Sequence, residues 1–150
     1  MSVGPFRMYV RVVSTTLLPG DIDERLGVRA DEAWAIGGRR RPGSRPREHT
    51  DWTRRAEAPE PGARPEDLER IVLGWGLPFA RALGALARSG DARISLVIVQ
   101  QIEDLDDEMA KGIVLGAELV AWLAVAQASV DIDQFFLHEC GEAGKVTAGR

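Results

Sequence analysis

Residues 92–101 read ARISLVIVQQ. Ile94, Leu96 and Ile98 alternate with Arg93, Ser95, Val97 and Val99, the two-residue period of a strand that sends successive side chains to opposite faces. The same period runs through FRMYVRVVSTT at 6–16, where Met8, Val10 and Val12 oppose Arg7, Tyr9 and Arg11. It returns in SVDIDQFFL at 129–137, where Val130, Ile132 and Phe136 oppose Asp131, Asp133 and Phe135. Strands with one apolar and one mixed face suit an antiparallel or mixed sheet that is covered on one side only.

The intervening segments supply the cover. Pro19, Gly20 and Asp21 form a turn, with Asp21 the expected N-cap of a short helix ending near Gly27. AWAIGG at 33–38 and HTDWTRRA at 49–56 read as short strands of a long-looped hairpin. Pro65 opens a helix in which Leu68, Ile71, Val72 and Trp75 share a face. GWGLP interrupts it, and Pro78 restarts it with Phe79, Leu83, Leu86 and Ala87 as the new apolar stripe. A last helix covers about 117–127, with Leu119, Trp122, Leu123 and Ala126 inward. The expected fold is therefore α+β, a two-layer sandwich with a mainly antiparallel sheet and helices on one face. Its order is the ferredoxin-like βαββαβ with an appended αβ. Leu96, Ile98, Ile132, Leu83, Leu119 and Trp122 are the expected core.

One domain accounts for all 150 residues, with an ordered core over about 6–137, a mobile arginine-rich loop at 39–48 and a frayed tail at 138–150. The net charge of −4 points away from nucleic acid as a ligand of the whole surface. The lone Cys140 suits a reducing cytoplasm. The N-terminus lacks the apolar core of a signal peptide, and the longest apolar stretch contains Glu118, so no membrane segment is expected.

Three constellations carry possible chemistry. Asp131 and Asp133 fall on the face away from the helices, with Arg7, Tyr9, Arg11 and Arg93, and ion pairing with arginines from among Arg7, Arg11 and Arg93 is expected. These six residues make up the candidate sheet-face site. An acidic run, Glu103, Asp104, Asp106, Asp107 and Glu108, offers a patch for a basic partner. It fails the EF-hand pattern, because Leu115 stands where the bidentate glutamate belongs. Trp34 and Trp52 flank the arginine loop as candidate contact residues, whereas Trp75 and Trp122 are core by spacing. No nucleophile stands beside an activating histidine in the sequence, and His138 with Cys140 makes only a weak metal motif, so no catalytic residue, metal or cofactor is assigned.

An ordered set of landmarks completes the picture. These are YVRV at 9–12, DIDERLGV at 21–28, Trp34 with Gly37, Trp52 after the variable loop, and a helix running into VDID at 130–133. The chain resembles the bacterial domain of unknown function 4279 family over about residues 9–136. It departs from the pattern at Ala30, at Gln134–Phe136 and in the more acidic loop 102–112. The resemblance implies an α+β domain without an established activity, some of whose relatives look like immunity or accessory proteins of bacterial toxins. The leading expectation is a non-enzymatic protein-interaction domain of that immunity or accessory type, with an unknown protein partner, for instance a basic toxin. The alternative is a small-ligand or metal-binding regulatory domain using the open sheet face.

Overall fold

The computed structural model describes residues 6–104, 106 and 112–136. Asp107, Glu108, His138, Cys140 and the expected frayed tail lie outside the described residues. Among the described residues, five strands and four helices follow in the order β1 (Phe6–Ser14), α1 (Pro19–Leu26), β2 (Glu32–Trp34), β3 (Thr50–Arg55), α2 (Pro65–Gly74), α3 (Gly76–Arg88), β4 (Arg93–Ile102), α4 (Ala117–Ala126) and β5 (Ala128–Phe136). The sheet order is β2-β3-β1-β4-β5. β1 lies antiparallel between β3 and β4, and β2 is antiparallel to β3. This is the split βαββαβ arrangement. β5 then adds parallel to β4. A parallel neighbour needs a crossover, and α4 supplies it.

Alternation along β1 becomes a division between two faces. Met8, Val10 and Val12 are buried against the helices, together with Trp52 of β3 and Ile94, Leu96 and Ile98 of β4. Ile22 and Leu26 of α1, Leu68 and Val72 of α2, Leu83 and Leu86 of α3, and Leu119, Trp122 and Leu123 of α4 close the same core. Ile132 does not join it and stays 45% exposed. Its strand is one of the two edge strands among the described residues, and α4 packs chiefly on α3, so the helix layer stops short of β5.

Local chemistry sets the ends of the helices. Leu18, not Asp21, is the N-cap of α1; Asp21 sits one turn in and its Oδ2 accepts the Leu18 N–H at 2.9 Å. The Arg64 N–H and Asp67 Oδ2 repeat the device on α2 at 3.0 Å. The chain kinks between α2 and α3 at Gly76, whose φ of 86° lies in the left-handed region that glycine enters without steric cost. The kink brings Trp75, Phe79 and Trp122 together with ring centroids 5.7 to 6.5 Å apart. Arg54 lays its guanidinium over Trp75 at 4.4 Å and Phe79 at 4.7 Å. Burial there lowers its pKa, opposed by the charge of Asp31.

The arginine-rich segment forms an arm with a bonded neck. Gly37 N–H donates to Arg47 O at 2.8 Å, and Arg47 N–H donates to Gly38 O at 2.7 Å. Near the end of β1, just before β4, Asp91 gathers β1, α1 and α3. Its carboxylate accepts from Ser89 Oγ at 3.1 Å, Arg25 at 3.2 Å and Thr16 Oγ1 at 3.2 Å, while its carbonyl accepts from Ser14 Oγ at 2.6 Å.

Two tests follow from this packing. Gly84 of α3 faces the backbone of α4, and a Cβ there would lie 2.3 Å from the Val125 carbonyl oxygen. Gly84→Ala should force the helices apart and cost about 1–3 kcal/mol in urea unfolding. The Asp91 carboxyl has its pKa held below the ordinary 3.8 by the Ser89 and Arg25 hydrogen bonds. A depressed folded-state pKa contributes stability that is complete above the ordinary value and lost as pH falls through the folded one. Asp91→Asn should therefore lower the melting temperature near neutral pH, and the gap to the parent should narrow as pH drops below about 4.

Candidate functional site

The site lies on the helix-free face of the sheet, over β2, β3 and β1. Tyr9, Arg11, Glu32, Trp34, Arg47, Asp51, Thr53 and Arg55 line a shallow depression of about 300 Å³ there. The placement is dictated by register. Thr50 and Trp52 are fully buried on the helix side, so Asp51, Thr53 and Arg55 must point the other way. Arg11 stands opposite Thr53, one pleat from Asp51.

Both acids of the depression, Asp51 and Glu32, have basic neighbours. Arg11 Nε donates to Asp51 Oδ1, and His49 Nε2 lies 3.1 Å from Asp51 Oδ2. The Asp51 hydrogen bond raises the Arg11 pKa, burial works against it, and the charges of Asp51, Tyr9 and Asp131 add to the rise. Arg55 reaches Glu57 at 3.2 Å and Glu32 at 3.8 Å. Arg47 of the arm lies over the Trp34 ring, 4.3 Å from its centroid. Trp34 remains 45% exposed.

The residues expected to form a single face site are divided in two. Tyr9 and Arg11 belong to the depression. Asp131 and Asp133 are on β5, beside Val97 and Val99 of β4, which separate them from Tyr9 and Arg7 of β1. Two strand spacings amount to roughly 10 Å. Among the described residues neither carboxylate has a cation within ion-pairing distance, and Arg11 is held by Asp51 instead. The expected pairing of these aspartates with Arg7, Arg11 or Arg93 therefore gives way to a weaker, longer-range attraction between Asp131 and Arg11. Arg7 is exposed opposite Val99, and Arg93 is exposed opposite Val13 at the start of β4.

Trp52, expected at the surface beside the loop, is a core residue. Its indole N–H donates to Asp23 Oδ1 at 2.7 Å, and none of its surface is exposed. Of the acidic run, Glu103, Asp104 and Asp106 are exposed just beyond β4, and Asp104 Oδ1 accepts the Asp106 N–H at 2.9 Å. Among the described residues no three His, Cys, Asp or Glu side chains come close enough to hold a metal ion. Likewise no helix there is long and apolar enough to cross a membrane. Sequence reasoning missed Glu32, Arg47, Asp51 and Arg55. The signal for Asp51 and Arg55 was present, since alternation around an inward Trp52 places both outward.

The model of a domain of unknown function, DUF4279, matches residues 4–137. The chain belongs to the DUF4279 family. No curated protein and no solved structure matches it significantly. The DUF4279 match spans every described strand and helix, so family membership attaches to the whole sheet and its helix layer.

The Arg11–Asp51 pair gives a direct test of the depression. Arg11 is more than a third exposed, so solvent screens the attraction. A double-mutant cycle with Arg11→Met and Asp51→Asn should return a coupling of about 0.5–1 kcal/mol that shrinks in high salt.

Proposed function

We propose that this DUF4279 domain is a non-enzymatic protein-interaction module whose contact surface centres on Trp34 and the depression beside it. The observation that carries this reading is the half-exposed Trp34 ring braced by Arg47 at the rim of Tyr9, Arg11 and Arg55. Trp, Tyr and Arg are the residue types that dominate binding energy in protein interfaces. Bracing by Arg47 reduces the ordering cost that an exposed tryptophan would otherwise meet on association. The shallow, open shape suits a protein surface better than an engulfed small molecule.

The finer proposal is a partner of basic character. The chain carries a net charge of −4, and Glu103, Asp104 and Asp106 are exposed. These acids lie past β4, at the end of the strands away from Trp34, and would complement a second part of a protein that binds phosphates, for example a nucleic-acid-cleaving toxin restrained by an immunity-type inhibitor. The second reading is a small anionic ligand. It draws on the guanidinium groups of Arg11, Arg47 and Arg55 around the same depression.

Affinity capture from the source cells, followed by native mass spectrometry, separates the two. The expected result is a co-purifying protein whose affinity falls by about tenfold or more in Trp34→Ala, with the fold intact by circular dichroism. A small molecule retained by the purified chain and lost on Arg11→Met would replace the interaction reading with the ligand one. A partner bound equally well by Trp34→Ala would remove the depression from the interface.

A further inference from the structure

The two edges of the sheet are unlike. β2 is three residues long, whereas β5 runs for nine and, among the described residues, pairs with β4 alone. Along its outer side an edge strand of that length presents a row of backbone N–H and C=O groups, the template for adding another strand. Its side chains are not those of a protected edge. Val130 is 37%, Ile132 45% and Phe136 49% exposed on the helix side, beyond the reach of α4. On the opposite side Asp131 and Asp133 are flanked by Val97 and Val99 and have no cation in ion-pairing range among the described residues. Glu103, Asp104 and Asp106 follow Ile102, which pairs with Phe136, so further negative charge lies past the end of the strand.

A second copy is a poor occupant. A two-fold axis normal to the sheet would set β5 antiparallel to itself, with residues directly opposite sharing a face. The register that pairs its whole length centres on Ile132 and places Asp131 opposite Asp133. Sliding the centre by one residue to either side sets Asp131 or Asp133 opposite itself. Directly opposed like charges about 4.5–5.5 Å apart destabilise a sheet.

We propose that the outer edge of β5 is a strand-addition site for an extended basic segment of a partner protein, with lysine or arginine alternating with aliphatic residues. Main-chain hydrogen bonds extend the sheet, aliphatic side chains cover Val130 and Ile132, and the cations meet Asp131 and Asp133. This inference rests on the interaction reading above but uses a different surface from Trp34.

The test titrates the isotope-labelled full chain with a synthetic peptide of the length of β5 that alternates lysine and valine, followed by NMR. A peptide alternating glutamate and valine is the control. The lysine peptide should move the amide signals of 128–136 and weaken with added salt. Its affinity should fall by about tenfold or more in Asp131→Lys/Asp133→Lys, and that variant should gain affinity for the glutamate peptide. The milder Asp131→Asn/Asp133→Asn pair keeps side-chain size and should show a smaller loss of the same sign if the reversed variant fails to fold. The proposal is overturned by silence of the β5 amides, by unchanged affinity in the charge variants, or by sedimentation showing that the chain alone dimerises through β5. Trp34→Ala should leave peptide binding unchanged. A partner captured through Trp34 with no peptide response would sink the edge alone, whereas peptide binding at β5 with capture insensitive to Trp34 would sink the depression alone.

Discussion

From inside the core, the Trp52 indole N–H donates to the carboxylate of Asp23, and the same oxygen accepts the Ala30 N–H at 3.1 Å. A buried indole without an acceptor would cost about 1–3 kcal/mol, so α1 and the chain leaving it must remain against β3. Thr50 repeats the constraint one pleat away. Its hydroxyl donates to Leu17 O at 2.6 Å and accepts the Ile36 N–H at 3.0 Å. Together they fix which way β3 faces. A one-residue slip would turn Asp51 and Arg55 into the core and expel Trp52. The Arg11–Asp51 contact and the depression beside Trp34 exist because the indole cannot leave Asp23.

Periodicity in the sequence was enough to give the helix-covered sheet, the split βαββαβ order and the break near Pro78, because alternation and helical stripes are local records of a buried face. The long-range partners were less legible. Asp131 and Asp133 share a face with Arg7 and Arg11 by parity, but parity says nothing about how many strands lie between them. The interposed β4 makes that separation too wide for a hydrogen bond. Ile132 has the pattern of a core residue and is exposed because helix cover depends on where α4 comes to rest, which strand alternation does not encode. Trp52 stood next to a polar loop in sequence, and its burial follows from a hydrogen bond to a helix nearly thirty residues earlier.

The landmarks that make the chain recognisable as a DUF4279 domain have structural work to do. Asp21 satisfies the Leu18 N–H, Ile22 and Leu26 enter the core, Asp23 holds Trp52, and Gly27 takes the left-handed turn with φ of 73° that ends α1. These members of the family pattern describe a scaffold. Other members, Tyr9 and Arg11 of YVRV, Trp34 and the aspartates of VDID, lie instead on the open face of the sheet or along β5.

The central position of β1 has a consequence for how the chain is made. Val10 pairs with Arg54 on one side and Leu96 on the other, so both neighbours of the first strand are synthesised long after it. At about 5–20 residues per second, β1 waits several seconds on the ribosome before β4 can emerge and complete its second ladder. Throughout that interval its aliphatic residues are available to other nascent chains. Arg7 and Arg11, spaced through the strand, act then as charged interruptions that discourage intermolecular stacking. Arg11 would thus serve the chain twice, first by keeping an unfinished strand apart from its neighbours and later by gripping Asp51 in the finished sheet.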